Sequence, residues 1–231
     1  MQLRVLSAGA AQGVVTTLAA QFQATENCEV RGTFGAVGAM KEKLLAGEPC
    51  DLIILSEKLI EELAAAGQVR RETVAALGRV RTGVAVRAGD VAPAIGDSAV
   101  LRTALKAAAG LYYPDPQRAT AGIHFVKVIE ALGIYAEVEP RLRPYPNGAT
   151  AMREMARSGK PGALGVTQIT EIRNTPGVEL VGPLPPEHEL ATVYSLAVCV
   201  GAAQAEAARR FAALLAGDAS RRLRSDAGFE F

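Results

Sequence analysis

Short apolar runs of strand length alternate with stretches of helical spacing along the first third of the chain. Leu3–Leu6 forms one such run, and the apolar residues Val14, Leu18 and Phe22 then recur every four residues, which predicts a helix. Asp51–Leu55 is a mostly apolar run typical of a strand buried in a parallel sheet. This alternation predicts an α/β protein whose mainly parallel sheets carry helices on their faces.

Small-residue turns follow three of the predicted strands and lead into predicted helices. The turn Ser7–Gly13 follows the first strand, Gly35–Gly38 follows the strand Glu29–Phe34, and Pro114–Gly122 follows the strand Gly110–Tyr113. A turn at a helix N-terminus presents unpaired backbone N–H groups and the positive end of the helix dipole, which together bind anions. An ordinary strand-to-helix connection is the alternative for each turn.

Glycine and proline positions divide the rest of the chain. We expect the strand Arg81–Gly89 to lead into a second lobe, Gly182–Pro186 to form an extended linker, and the strand Thr192–Val200 to return to the first lobe. Ser56 is expected to cap the helix after the third strand. The predicted domains are residues 1–83 with 192–231 as lobe 1, and residues 84–191 as lobe 2.

Composition and charge narrow the class of protein. With 231 residues, 49% of them hydrophobic, and a mean hydropathy of +0.16, the chain can bury a substantial core. Its 25 basic and 24 acidic residues are dispersed along the chain, so no block of basic residues is present that would bind nucleic acid or an anionic membrane. Aromatic residues are scarce and tryptophan is absent, so we expect no base-stacking surface.

The cysteines and the N-terminus bear on the compartment. Cys28, Cys50 and Cys199 are odd in number and have no paired spacing for zinc or a disulfide framework, so we expect free thiols and a reducing compartment. No basic and apolar leader precedes the first strand, which predicts a cytoplasmic protein. A mature chain whose signal has been removed looks the same and would be periplasmic. No apolar run approaches the roughly 20 residues needed for membrane insertion.

Four stretches resemble the periplasmic solute-binding proteins of ABC transporters, in particular the molybdate-binding group. They are Val5–Ala10, Phe34–Ala39, Leu45–Leu55 and Ala207–Phe229. The resemblance covers nearly the whole length and implies a two-lobed periplasmic-binding-protein-like fold (type II), with two crossover strands and a small anion held between the lobes. We expect no cofactor and no metal, and the resemblance implies an ABC transporter permease as partner if the chain is exported. We expect a monomer, because the lobe cores account for all the apolar faces.

The resemblance also implies a set of ligand contacts. These are Ser7, Ala8, Gly9, Gly35, Ala36, Val37, Gly38, Asp115, Arg118, Thr120, Gly122, Asn147, Gly148, Thr167 and Gln168. The chain departs from the molybdate-binding pattern at Ala36 and Val37, where paired serines are expected. Arg118 within the third turn presents a guanidinium fork that suits a planar carboxylate, unless it points to solvent. We therefore expect a carboxylate-bearing anion rather than molybdate.

A second resemblance supplies an alternative function. Val181–Pro185 together with Thr192–Ser195 is similar to the corresponding stretches of aconitate isomerases, which shift a proton across an allylic tricarboxylate. This resemblance implies a cytoplasmic isomerase of a small unsaturated carboxylate.

Such an isomerase needs a base near neutral pKa within reach of a carbon acid. His124 is the catalytic candidate, because a helix N-terminus would keep its imidazole neutral; a solvent-facing histidine is the alternative. Asp115 is a second candidate base, although turn geometry also explains it. Tyr145 and Tyr194 are candidate proton donors or simply packed residues, and His188 is expected in an exposed loop. The sequence contains no Ser-His-Asp arrangement, phosphate-binding loop or metal-ligand spacing.

Overall fold

A computed structural model describes the whole chain, residues 1–231. The strands are, in chain order, β1 (Gln2–Ala8), β2 (Glu29–Gly35), β3 (Leu52–Ser56), β4 (Ala75–Arg87), β5 (Leu111–Pro114), β6 (Leu142–Tyr145), β7 (Leu164–Gln168), β8 (Val178–Pro183) and β9 (Ala191–Val198). The helices are α1 (Gln12–Glu26), α2 (Val37–Leu45), α3 (Glu57–Ala65), α4 (Ser98–Ala107), α5 (Thr120–Ala131), α6 (Tyr135–Val138), α7 (Gly148–Arg157), α8 (Ile169–Arg173), α9 (Ala205–Ala216) and α10 (Arg221–Ala227). The elements confirm the predicted α/β class.

The chain forms two compact units. Unit 1 comprises Met1–Val80 and Thr192–Phe231, and unit 2 comprises Arg81–Ala191. The chain leaves unit 1 within β4 and returns to it at the start of β9. None of the helices combines the length and the apolar character required to span a bilayer.

Three neighbouring parallel strands organise unit 1. β1 pairs in parallel with β2 on one side and with β3 on the other, and β3 pairs antiparallel with β9. Leu52 to Leu55 are fully buried, as the apolar run predicted. The parallel pairing of β1 with β2 and β3 brings the carboxyl ends of all three strands to one edge of the sheet.

Helix α1 covers this sheet with the residues that the sequence pattern identified. Val14, Leu18 and Phe22 are buried, and α1 packs against α9 and α10. The rings of Phe22 and Phe211 meet with centroids 5.0 Å apart. Aromatic contact between α1 and α9 therefore joins the two chain segments of unit 1.

A buried arginine fixes the C-terminal segment to unit 1. Nη1 of Arg224 donates to the carbonyl of Leu77, Nη2 donates to the carbonyls of Ala216 and Gly217, and Nε donates to Oγ of Ser220. Burial lowers the pKa of Arg224 from its ordinary value. Its donors are matched by neutral acceptors, and its guanidinium also lies 4.8 Å from the centroid of the Phe231 ring, so the buried charge is stabilised without a direct salt bridge.

Unit 2 has a mixed sheet covered on both faces. β5 lies between β6 and β7 in parallel pairing, and β4 pairs antiparallel with both β7 and β8. One face packs around Phe125 and Leu101 of α5 and α4, and the other packs around Met152, Met155 and Ile172 of α7 and α8. The carboxyl ends of β5, β6 and β7 therefore share one edge.

The sequence missed two features of the strands and one helix cap. Val178–Pro183 is strand β8, although Gly182–Pro186 was expected to be a linker, because the prolines at 183, 185 and 186 obscured an edge strand that pairs only with β4. β4 begins at Ala75 rather than at Arg81. Ser56 occupies the N-cap position of α3 but its side chain makes no capping bond. That first turn instead carries Glu57, whose carboxylate complements the helix dipole.

Candidate functional site

The first two strands of unit 1 end side by side. In the β1–β2 ladder Ala8 lies opposite Gly35, and each strand passes almost directly into a helix. The N-cap residues of α1 and α2 are Ala11 and Ala36, and neither helix has a side-chain cap. A 3₁₀ turn, Gly9–Ala11, leads into α1; its N-cap Ala8 has no side-chain cap, and the carbonyl of Gly9 accepts the N–H of Gln12. The backbone N–H groups left for an external acceptor are therefore those at the start of this turn and of α2, and the two helix dipoles point to the same edge.

The residues around this edge are small and largely apolar. Ser7 is fully buried, and its hydroxyl donates to the carbonyl of Ala8 at 3.0 Å. The other predicted contacts of unit 1 are buried or, for the last, half-buried: Ala8, Gly9, Gly35, Ala36, Val37 and Gly38. The structure thus brings the predicted residues of unit 1 together and gives them backbone donors among methyl groups.

The loop after β5 shapes the corresponding edge of unit 2. Pro114 at the end of β5 lies opposite Tyr145 at the end of β6. Oδ1 of Asp115 accepts the N–H groups of Gln117 at 2.7 Å and of Arg118 at 3.0 Å, which is an Asx turn. Arg118 is exposed. The carboxyl group of Asp115 therefore stabilises the turn.

Helix α5 begins at Thr120, after the loop that follows β5. Its N-cap is Ala119, which gives no side-chain cap, and Thr120 in the first turn is half-buried. A Cβ added to Gly122 would collide with the carbonyl oxygens of Pro114 and Asp115. Gly122 is thus required for the close approach of the first turn of α5 to this loop, a role in packing.

The N-terminus of α7 is occupied by the protein's own polar groups. Oδ1 of Asn147 accepts the N–H of Thr150 at 2.8 Å, which caps the helix. The carboxyl group of Glu171 accepts the N–H groups of Gly148 and Ala149. An internal carboxylate therefore stands where an anionic ligand was expected, and the predicted ligand contacts of Asn147 and Gly148 stay predictions.

Glu171 connects two turns of unit 2. It also accepts the N–H of Gln168 and the hydroxyl of Thr167, the latter at 2.5 Å. A Cβ on Gly148 would collide with Oε2 of Glu171. Burial raises the pKa of Glu171, while these donors oppose the shift. Glu171 is not among the predicted site residues, although its spacing from Gln168, the N-cap of α8, is that of a capping box.

The buried side chains of Gln168 and Thr82 carry polar atoms that have no hydrogen-bond partner. Gln168 is 3% exposed, yet neither Nε2 nor Oε1 has a hydrogen-bond partner. Thr82 lies opposite Gln168 in the β4–β7 ladder, and its Oγ1 also has no partner. Directly opposed residues project to the same face of a sheet, so the two side chains are neighbours. Buried polar groups in native proteins nearly always have a hydrogen-bond partner. The amide of Gln168 therefore offers a ligand one donor, Nε2, and one acceptor, Oε1.

The candidate base His124 is held by a backbone carbonyl. Its Nε2 lies 2.8 Å from the carbonyl oxygen of His188, and because that oxygen can only accept, Nε2 carries the proton. The lone pair of the neutral ring is then on Nδ1. His188 is half-buried and its Nε2 lies 3.1 Å from Oγ of Ser98, so the expected exposed loop is instead a hydrogen-bonded turn.

The two candidate tyrosines pack against other aromatic rings. Tyr145 stacks on Tyr112 with centroids 6.0 Å apart, and burial raises its pKa. Tyr194 is buried, and its ring meets that of Phe229 edge to face. Packing explains both positions. The structure contains no group of three or more His, Cys, Asp or Glu side chains arranged to hold a metal ion.

Comparison with known families and proteins gives consistent matches. The model of a family described as bacterial extracellular solute-binding protein matches residues 3–230. An aconitate isomerase from Pseudomonas sp. is 25% identical over an alignment 237 residues long, which covers 99% of this chain and 87% of that protein. The molybdate-binding protein ModA of Escherichia coli K12 is 24% identical over 204 residues, which cover 87% of this chain and 78% of ModA.

Solved structures share the fold. The periplasmic molybdate-binding protein of Azotobacter vinelandii superposes with a TM-score of 0.81 at 18% identity and covers 99% of both chains. The sulfate-binding protein SubI of Mycobacterium tuberculosis H37Rv superposes with a TM-score of 0.72 at 19% identity, covering 99% of this chain and 86% of SubI. These likenesses confirm the predicted periplasmic-binding-protein-like fold.

Proposed function

Because this chain belongs to the family of bacterial extracellular solute-binding proteins, we propose that it binds a small anion with the loops at the carboxyl edges of its sheets. The observation that carries the proposal is the adjacent pair of uncapped starts at Ala8, where the 3₁₀ turn into α1 begins, and at Ala36, where α2 begins; this pair directs backbone N–H groups and two helix dipoles to one edge of unit 1. Relatives and neighbours named for molybdate and sulfate binding support an anionic ligand.

We propose an organic carboxylate rather than a bare tetrahedral oxyanion. Ala36 and Val37 are buried and provide methyl groups, which pack against carbon and cannot donate to an oxyanion. The amide of Gln168 needs an acceptor for Nε2 and a donor for Oε1, whereas the oxygens of molybdate or sulfate only accept. A carboxylate that also carries a hydroxyl or a protonated acid group satisfies both atoms.

A thermal-shift screen tests the ligand class. Purified protein is heated with molybdate, tungstate, sulfate, phosphate, and small di- and tricarboxylates, since a ligand of the folded state raises the melting temperature. We expect a shift with a carboxylate. A shift with molybdate or tungstate alone would contradict the carboxylate proposal while supporting anion binding, and no shift with any anion would contradict both.

Variants of the anion-binding loops test the residue assignment by calorimetry with the ligand found. Val37→Pro removes one backbone N–H at the first position of α2, where proline is tolerated and where Ala36 already has the extended backbone that precedes proline. We expect binding roughly tenfold weaker or more, because a charge-assisted hydrogen bond is lost. Val37→Ala keeps the N–H and is the matched control. Equal affinities of the two variants would contradict the role of this helix start.

Side-chain variants provide a second test of the same loops. We expect Ser7→Ala and Arg118→Ala each to weaken binding, while Arg102→Ala, an exposed arginine on α4, leaves it unchanged. Unchanged affinity in both loop variants would refute the loop assignment.

The compartment decides the fate of the bound anion. A periplasmic chain would deliver its ligand to the permease of an ABC transporter, as the family implies, whereas a cytoplasmic chain would act without that partner. Fractionation of cells that express the native gene distinguishes these outcomes.

An isomerase is the second candidate function, and the geometry of His124 favours it. The bond from Nε2 to the carbonyl of His188 orients the ring and leaves Nδ1 as a base, and the aconitate isomerase relative matches 99% of this chain. Incubation with aconitate in deuterated water measures proton exchange at the allylic carbon. We expect His124→Ala to abolish exchange with binding nearly intact, and full exchange in that variant would exclude this base.

A further inference from the structure

Two of the three cysteines meet inside unit 1, although they are far apart in sequence. Cys50 precedes β3 and Cys199 follows β9, and these strands are antiparallel neighbours. Cys50 is 7% exposed, Cys199 is 2% exposed, and both are free thiols. The third cysteine, Cys28, is buried before β2, with its thiol directed at the carbonyl of Glu29.

The strand register sets the distance between the two backbones. Leu52 lies opposite Val198, so the ladder continues with Asp51 opposite Cys199, whose N–H donates to the carbonyl of Asp51 at 3.0 Å. Cys50 is therefore offset by one residue from the position directly opposite Cys199. Strand spacing and rise place its Cα roughly 6 Å from that of Cys199, within the range that a disulfide spans.

The electrostatics of the two thiols agree with this placement. The thiol of Cys50 is the largest cause of the raised pKa of Cys199, ahead of burial, as expected for neighbouring side chains. The Cys50 thiol is also directed at the carbonyl of Leu52 at 3.2 Å. Neither thiol needs to move across the structure to reach the other.

We propose that Cys50 and Cys199 are a disulfide site that closes when the chain folds in the presence of a small-molecule or protein disulfide. The thiolate of one cysteine attacks the external disulfide and releases one thiol, and the second cysteine then attacks the mixed disulfide and releases the other. In sum, two protein thiols and one external disulfide yield one protein disulfide and two external thiols. The protein sulfurs are oxidised and the external disulfide is reduced.

The bond would tie together the two segments that build unit 1. It joins the start of β3 to the end of β9 and closes a loop that contains residues 51–198, including all of unit 2. Such a long closed loop strongly restricts the unfolded chain. Both thiols are enclosed in the folded protein, so the exchange occurs during folding, while an external disulfide can still reach the pair.

Thiol counting during refolding tests the site. Reduced protein is unfolded in urea, refolded with oxidised glutathione or with a reducing agent, then denatured, alkylated with N-ethylmaleimide and weighed by mass spectrometry. Of the three cysteines, we expect only Cys28 to be alkylated after oxidative refolding and all three after reductive refolding. Peptide mapping should identify a Cys50–Cys199 linkage within one chain.

Three single variants make the test specific. Cys28→Ala should still lose both remaining thiols on oxidation, whereas Cys50→Ala and Cys199→Ala should each keep both. Circular dichroism checks that each variant folds, and oxidised wild-type protein should melt several degrees above the reduced protein. Three alkylated cysteines after oxidative refolding, a linkage to Cys28 or to a second chain, or an oxidised form that melts no higher than the reduced one would overturn the proposal.

Discussion

Replacing Glu171 should destabilise the protein in a way that depends on pH. The carboxyl group of Glu171 is buried and accepts the N–H groups of Gly148, Ala149 and Gln168 together with the hydroxyl of Thr167. In Glu171→Gln the shape is kept, but an NH₂ group that cannot accept replaces one oxygen. At least one buried donor is then unpaired, which costs about 1–3 kcal/mol of the free energy of unfolding. Glu171→Ala removes both acceptor oxygens and should lose more.

The pH dependence has a definite sign. Burial raises the pKa of Glu171 above its ordinary value of 4.5, so the folded chain binds this proton more tightly than the unfolded chain does. The contribution to stability is complete below pH 4.5 and is lost as the pH rises through the folded-state pKa. Glu171→Gln has no such proton, so its deficit relative to the native chain should be largest near pH 4.5 and shrink at higher pH.

Urea denaturation at a series of pH values, followed by circular dichroism, measures both effects. Glu130→Gln, which changes an exposed glutamate on α5, is the matched control and should stay within about 0.5 kcal/mol of the native chain at every pH. A deficit for Glu171→Gln below about 0.5 kcal/mol throughout, or one that grows as the pH rises, would refute this reasoning.

Three further substitutions test other contacts. Gly122→Ala should lower the free energy of unfolding by about 2 kcal/mol or more, measured by heat or urea, because its Cβ would collide with backbone oxygens. Gly96→Ala is the control and should be neutral, since nothing lies within 4 Å of its Cβ. Equal stabilities of the two variants would contradict the contact. Asn147→Ala should lower stability by about 1 kcal/mol through loss of the α7 cap, and no change would show that the cap is dispensable. Arg224→Lys should lower the urea midpoint by the equivalent of about 2 kcal/mol, because an ammonium cannot reproduce the forked bonds to several carbonyls, and a native midpoint would refute this.

Local spacing predicted the elements well where side-chain burial repeats along the chain. The helical spacing of Val14, Leu18 and Phe22 identified the buried face of α1, and the apolar run before Ser56 identified β3. It failed at β8, where proline and glycine conceal an edge strand, and at the Ser56 cap, because a suitable residue type does not ensure that its hydroxyl reaches the backbone.

The candidate site likewise has features that local sequence predicted and features that depend on distant contacts. Small residues in the turns after β1, β2 and β5 were visible in the sequence, since glycine and alanine have no side-chain acceptor that could cap a helix start. Glu171 has a local signal in its capping-box spacing from Gln168, but its bonds to the start of α7 were not visible, because β7 lies between α7 and α8. The same holds for Thr82, which meets Gln168 only through strand pairing.

The sequence by itself determined the alternation of strands and helices, the α/β class and the small-residue turns, since these depend on neighbours a few residues apart. Tertiary structure alone decided that Ala8 lies opposite Gly35, that an internal carboxylate occupies the start of α7, and that Cys50 meets Cys199. These pairings join segments that are distant along the chain. Their choice depends on which register buries the most apolar surface and satisfies the most polar groups at once, a condition that no local spacing contains.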